Sequence, residues 1–193
     1  VLLTSPVYQG FCPDLKRISE IVHGKNKILL VDEAQGPHFF FNPSLPKSAG
    51  EFADGWVQSP HKMLTSLTQS AWLHIKGNKI DKSILKAFIN LVTSTSPSYI
   101  LMASLDMARA VMEAEGKALT DKALELAHFG RDYINKHTPF YAVGAEVRGK
   151  KGIHDIDLAR LMINVSKAGY TGYEVERQLR EDFNIYAEYA DSY

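Results

Sequence analysis

Two stretches of this 193-residue chain place reactive residue types at the ends of apolar runs. The first, Ile28-Leu29-Leu30-Val31-Asp32-Glu33-Ala34-Gln35-Gly36, drives apolar residues into two adjacent carboxylates. The second, Val57-Gln58-Ser59-Pro60-His61-Lys62, ends in a hydroxyl, an imidazole and an amine. Loops at the carboxyl edge of an open α/β sheet diverge and leave a crevice where ligands bind. A carboxylate removed from water there needs a positive partner, because its desolvation is otherwise too costly.

Two chemistries use such a pair. In one, Asp32 holds magnesium and Glu33 polarises a water, as in an ATPase or helicase. That chemistry requires a G-x-x-x-x-G-K-[ST] phosphate loop. Gly116-Lys117-Ala118 has neither the upstream glycine nor the hydroxyl after the lysine. The other chemistry is that of pyridoxal 5'-phosphate. This cofactor needs a lysine amine for its Schiff base and a carboxylate to keep its pyridine nitrogen protonated. It also needs small or planar groups on its ring faces and donors for its phosphate. Lys62 and Asp32 are the natural pair for it.

The elements that must position these residues follow from periodicity. Val1 to Thr4, Lys27 to Asp32, Gly55 to Ser59 and Ala71 to Lys76 read as strands. Asp14 to His23 reads as a helix with Leu15, Ile18, Ile21 and Val22 on one face, so the chain opens as a strand-helix-strand unit. Such alternation predicts a mostly parallel sheet covered by helices. About a dozen residues separate the third and fourth strands, too few for a parallel crossover, so the fourth is expected to be antiparallel. From Asp81 to about Lys136 three apolar stretches read as helical: Ile84 to Leu91, Leu101 to Met112 and Leu119 to Phe129. Ser96-Pro97-Ser98 supplies a cap and a proline for the middle one. After the charged turn Gly149-Lys150-Lys151-Gly152, a strand over Leu158 to Val165, a helix over Gly172 to Phe183 and a short strand over Ile185 to Glu188 are expected.

Composition narrows the classes. Apolar residues make up 45% and charged residues 23%, ordinary values for a globular chain. The apolar runs fall far short of the ~20 residues that span a bilayer. Lys plus Arg equals Asp plus Glu at 22 each, so no global field favours nucleic acid or an anionic membrane. Cys12 is the one cysteine, which excludes an internal disulfide and suits a reducing, cytoplasmic setting; a small buried hydrophobe is its expected role. No secretory signal pattern opens the chain. Val1-Leu2-Leu3-Thr4-Ser5-Pro6 reads as a strand already in progress, so a fragment or processed chain is expected. His154-Asp155-Ile156-Asp157 lacks a regular ligand spacing, and no metal site is expected.

In ordered combination, several blocks resemble the pyridoxal-phosphate-dependent ornithine/lysine/arginine decarboxylases of aspartate-aminotransferase-like fold, known as fold type I. They are Thr4-Ser5-Pro6-Val7-Tyr8-Gln9-Gly10, Val31 to Phe39, Gln58 to Lys62, Leu67 to Ile75, Ser94 to Tyr99 and Gly169 to Glu176. The resemblance covers nearly the whole chain. It implies an α/β fold: part of the large cofactor-binding domain over 1–140 and the opening of a small α+β domain over 141–193. It also implies decarboxylation of a basic amino acid to its amine, in polyamine synthesis or acid resistance.

Carried over by position, Lys62 would be the Schiff-base lysine and Asp32 the partner of the pyridinium nitrogen. Ala34 would pack on the ring face, with Gln35 beside it. Ser59 and His61 would lie near the phosphate and the Schiff base, and His61 or Lys62 would handle the proton. The hydroxyls of Ser94 and Thr95 would reach the cofactor phosphate of a neighbouring subunit, which implies a homodimer or larger homo-oligomer. Glu33 would tie loops together beneath the site, and His74 would pack within its strand. Tyr186-Ala187-Glu188-Tyr189 would face a substrate amine or form a plain edge strand.

The sequence departs from the family in two places: Gln35 stands where histidine or tryptophan is common, and Pro60 replaces a threonine or similar residue. The resemblance puts the family's phosphate-cup loop and stacked aromatic residue before Val1. Two alternatives stay open: a truncated or degenerate member acting by dimerisation, and another fold type I enzyme such as an aminotransferase.

Overall fold

The computed structural model describes residues 1–192, and it places the two reactive stretches on neighbouring strands. In chain order the elements begin with β1 (Leu2–Thr4), β2 (Phe11–Cys12), α1 (Leu15–Gly24), β3 (Leu30–Asp32), β4 (Gly55–Gln58), α2 (Pro60–Met63) and β5 (Trp72–Ile75). They continue with α3 (Lys82–Val92), α4 (Tyr99–His137), β6 (Tyr141–Ala142), β7 (Asp155–Ile156), β8 (Ile163–Asn164) and α5 (Gly172–Phe183). The main sheet has the order β1-β3-β4-β5. Its first three strands are parallel and β5 is antiparallel to β4, as the short connection requires.

Local chemistry fixes the covering layer. Asp14 caps α1 by accepting from the Arg17 N–H at 2.9 Å, and the helix buries Leu15, Ser19 and Val22. These pack on Leu29 and Val31, with Ala49 and Ala53 closing the same cluster. Leu29 and Val31 are sealed while Leu30 between them stays partly exposed, the alternation of a strand covered on one face. Cys12 lies in a second cluster with Phe39, Leu45, Leu124, Val147, Ile156 and Leu158. Burial there pushes its thiol up to about 12, in keeping with a packing role.

Where Leu101 to Met112 and Leu119 to Phe129 read as separate stretches, the chain forms one 39-residue helix. Its buried positions, Ala108, Met112, Gly116, Thr120, Leu124, Ala127 and Arg131, recur every three or four residues. Nothing between Met112 and Leu119 breaks the turn, and the Thr120 hydroxyl bonds back to the Gly116 carbonyl at 2.7 Å. Asn42 holds this helix from the side, donating to Thr120 and Asp121 at 3.0 and 2.7 Å.

The segment 141–165 returns to the first part of the chain. β7 pairs with β2, and β8 pairs with β6. Of the expected strand over Leu158 to Val165, only Ile163–Asn164 is extended in a ladder. The approach to it is a turn, because Asp157 accepts from the Ala159 N–H at 3.0 Å. The helix over Gly172 to Phe183 forms as expected, with Thr171 and Glu174 in a capping box. The strand expected over Ile185 to Glu188 is absent. Asn184 takes a left-handed conformation with φ 53°, and the Ile185 N–H closes the helix on the Leu179 carbonyl at 2.9 Å.

Candidate active site

The carboxyl ends of β1, β3 and β4 bring the chemistry together. Asp32 lies opposite Thr4 on one side and Val57 on the other. Its Oδ1 accepts from the Ala34 N–H at 3.0 Å, which turns the chain sharply out of the strand. One strand over, Ser59 is the N-cap of α2, Pro60 is its first residue, and His61 and Lys62 follow. The Ser59 hydroxyl makes no capping bond. His61 Nδ1 lies 3.0 Å from the Ser70 carbonyl, an acceptor, so Nδ1 carries the hydrogen and Nε2 is left open. Lys62 is exposed and enters no ion pair among the described residues.

Asp32 and Glu33 separate into different environments. Glu33 is fully buried and points inward. It accepts from the Ser48 hydroxyl at 3.0 Å, the Ala49 N–H at 2.5 Å and the Gln58 amide at 2.6 Å. Burial pushes its carboxyl up to about 7, against the pull of those three hydrogen bonds. Glu33 is therefore spent on tying the β3 end to the turn at 48–51 and to β4. It is not placed to polarise a water, which removes the ATPase chemistry. Gln58 passes the network on, accepting from His74 Nε2 at 3.1 Å, and His74 stacks on Trp56 with centroids 4.8 Å apart. Burial lowers the pKa of His74, and its ring is taken up by the Trp56 stack and the Gln58 hydrogen bond.

A second buried network holds the loops from the other side. Asp157, fully buried, faces His38 Nε2 at 3.0 Å and Arg160 Nε at 3.3 Å. His38 Nδ1 is sealed and has no partner, so the ring's hydrogen sits on Nε2. Arg160 then reaches two loops and the end of α2: the Tyr8 carbonyl at 3.1 Å, the Gln35 side chain at 2.6 Å and the Met63 sulfur at 3.2 Å. Arg131 anchors this segment by donating to the carbonyls of Leu158 and Arg160 at 3.1 and 2.7 Å. Two glycines permit the close approach. A Cβ on Gly36 would lie 2.9 Å from Pro6 and from the Glu33 side chain, and one on Gly10, at φ +91°, would lie 3.1 Å from Arg160.

Asp32, Ala34, Gln35, Ser59, His61 and Lys62 thus share one sheet edge. Ser94 and Thr95 do not join them: they sit exposed on the α3–α4 connection, where Ser94 Oγ accepts from the Ser96 N–H at 3.1 Å. His38, Asp157 and Arg160 carry no local signal of their role in the sequence. The pointers available are a histidine just past the acid pair and the Asp157/Arg160 spacing after a charged turn. Glu188, at the chain's end, accepts from the Tyr8 hydroxyl at 2.7 Å. No group of metal-ligating residues occurs among the described residues, and His154 lies 3.7 Å from Asp14.

A scan against family models matches residues 1–193 to "Orn/Lys/Arg decarboxylase, major domain". Among curated proteins, arginine decarboxylase of Bacillus subtilis (strain 168) is 41% identical over 194 aligned residues, covering all of this chain and 40% of that relative. The chain therefore spans well under half the length of this relative. Among solved structures, the constitutive lysine decarboxylase of E. coli superposes with a TM-score of 0.79 at 20% identity, covering 100% of this chain and 32% of that one. Cystalysin from Treponema denticola, described as containing pyridoxal 5'-phosphate, gives a TM-score of 0.59 at 17% identity, covering 96% of this chain and 47% of that one. The fold is thus that of fold type I enzymes, and because residues 1–193 of this chain match the family model, the chain belongs to the Orn/Lys/Arg decarboxylase family.

Proposed function

We propose that the protein carrying this chain decarboxylates a basic amino acid with pyridoxal 5'-phosphate attached at Lys62. The observation that carries the reading is the pairing of β3 with β4, which sets Asp32 beside the strand that delivers Ser59, His61 and Lys62. The residues present fit the group. Among the described residues Lys62 is an amine with no competing ion pair and the Ser59 hydroxyl makes no capping bond, and the residue two past Asp32 is a small alanine. Bound pyridoxal phosphate supplies an electron sink for the pair left on the α-carbon when carbon dioxide departs.

The chain's own residues do the rest. Lys62 would hold the group through its side-chain amine, the position a substrate amine would take over. Asp32 keeps a proton on the ring nitrogen, because an adjacent carboxylate favours the charged form. His61, with Nδ1 fixed on Ser70, has Nε2 free to carry a proton to the α-carbon. Ala34 and Gln35 line the ring side. Ser94 and Thr95, away from this cluster, are assigned to the cofactor phosphate of a second subunit, so the active unit is a homodimer. The reading carries a division at residue 140, into a cofactor-bearing unit and the opening of a small domain, with the pairing of β7 to β2 joining the two. A buried, unreactive Cys12 suits a cytoplasmic enzyme, and the amine product suits polyamine synthesis.

The test is an absorbance spectrum of the purified protein with added pyridoxal phosphate, beside Lys62→Ala. A visible band present in the former and lost in the latter is expected, with carbon dioxide release then assayed on arginine, lysine and ornithine. The absence of any Lys62-dependent band would overturn the reading.

A further inference from the structure

The turn that carries Lys62 has little support of its own. Helix α2 is four residues long, the Ser59 hydroxyl at its start makes no capping bond, and the Leu64 N–H closes it on the Pro60 carbonyl at 2.7 Å. One turn fixes several dihedral angles for few hydrogen bonds, so it holds its shape only where tertiary contacts secure it. Two such contacts flank the lysine. On one side His61 Nδ1 meets the Ser70 carbonyl at 3.0 Å, and on the other the Met63 sulfur meets Arg160 Nη2 at 3.2 Å. Lys62 between them is exposed and enters no ion pair among the described residues.

Arg160 is itself held from several directions. Its guanidinium is planar, so fixing two of its nitrogens sets the direction of the third. Nε faces the fully buried Asp157 at 3.3 Å, and Nη1 donates to the Tyr8 carbonyl at 3.1 Å. The stem is confined as well, since a Cβ on Gly10 would lie 3.1 Å from it. Nη2 has two hydrogens to give: the Gln35 side-chain oxygen lies at 2.6 Å, and the second hydrogen is left for the Met63 sulfur, a weak acceptor. One side chain therefore ties the loops that follow β1 and β3 to the turn that follows β4.

We propose that Arg160 is a positioning residue for Lys62: through the Met63 sulfur it fixes the turn of α2 against the loops after β1 and β3, and so keeps the lysine amine in register with Asp32. The inference rests on the reading of Lys62 as the cofactor lysine given above. A lysine on an unanchored turn spends less time where its link to the cofactor can re-form, so a competing amine takes the cofactor from it sooner.

Met63→Leu tests it, because leucine keeps the volume and apolar character of methionine but offers the guanidinium no acceptor. The protein loaded with pyridoxal phosphate is mixed with hydroxylamine, which displaces the Lys62 amine and carries the cofactor off as its oxime. The rate is read from loss of the Lys62-dependent visible band. Met63→Leu is expected to lose that band about 3- to 10-fold faster than the unsubstituted protein. Met63→Gln restores an acceptor oxygen and returns most of the way; a polar side chain there improves no packing, so the rescue reports the contact with Arg160. Arg160→Met is expected to lose the band at least as fast as Met63→Leu, and adding Met63→Leu to it changes nothing further, because the contact is already gone. If Arg160→Met does not fold, the two Met63 variants decide alone. An unchanged rate in Met63→Leu overturns the proposal, as does a Met63→Gln protein no slower than Met63→Leu. A Met63→Leu effect that persists in full beside Arg160→Met overturns it too. A protein without any Lys62-dependent band overturns the site reading, and this inference with it.

Discussion

The main sheet buries one carboxylate at each end, and the two are treated in opposite ways. At the carboxyl end, Glu33 is met only by neutral donors, and burial raises its pKa to about 7. At the amino end, Asp54 is also buried, and that alone would raise its pKa. The Leu29 N–H at 2.8 Å and His23 at 2.9 Å, with Lys79 at 3.5 Å, hold it below its ordinary value instead. Glu33 lies deeper and has no cationic partner, whereas Asp54 lies shallower and has one in Lys79, so depth and partners together decide the sign. The amino end is an ionic clamp, whereas the candidate site rests on a carboxyl that can keep its proton near neutral pH and so adds little charge beneath Asp32 and Lys62.

Removing the neutral set should cost most. Glu33→Ala strands the donors of Ser48, Ala49 and Gln58 in a dry pocket, and about 3 to 5 kcal/mol of stability should be lost in urea unfolding. A loss below about 1 kcal/mol would mean that water replaces the carboxylate and that the site is wetter than its burial implies.

The pH profile sharpens the contrast. The folded Glu33 holds its proton to about 7 while the unfolded chain ionises near 4.5, so its contribution is fully present below 4.5 and lost as pH rises through 7. Stability should fall across that window by an amount on the order of 3 kcal/mol, and Glu33→Gln should flatten the slope. A profile identical in both proteins would assign the pH dependence elsewhere.

The smallest effect belongs to the other end. Asp54→Asn keeps an acceptor for the Leu29 N–H but removes the counter-charge of Lys79 and the carboxylate that His23 meets, which should cost about 1 to 2 kcal/mol at neutral pH. Because the Asp54 pKa is lowered on folding, its contribution is present above 3.8 and lost as pH falls through the folded value. The difference between the two proteins should therefore vanish in acid. If it persisted, shape rather than charge would be what Asp54 provides.

Short-range features were legible in the sequence. The strand ending at Asp32, the one expected over Gly55 to Ser59 and observed to Gln58, the antiparallel β5 and the inward Leu15, Ile18 and Val22 of α1 follow from patterns confined to a few residues, whereas Ile21, expected on the same face, is exposed. Glu33 as a tie between loops was readable because it sits one step from a strand end. The pairing of Phe11–Cys12 with Asp155–Ile156 was not, since two-residue strands have no periodicity and their partners lie far apart in the chain. For the same reason the brace of His38, Asp157 and Arg160 went unseen: each residue is ordinary locally and gains its role from one that is remote. The strand expected at Ile185 failed because Asn184 ended the preceding helix in a way that used the next amide.

Helix α4 touches both halves of the candidate site without entering it. Near its start, the Ser104 hydroxyl accepts from the Leu67 N–H at 3.2 Å, in the loop that follows Lys62. Near its end, Arg131 grips the carbonyls on either side of the turn that presents Arg160. At 1.5 Å per residue the two anchor points are about 40 Å apart along one uninterrupted rod. A rod of that kind acts as a gauge: the lysine loop and the arginine turn are set against a common length standard, and neither can drift alone without bending the helix or breaking its own anchor.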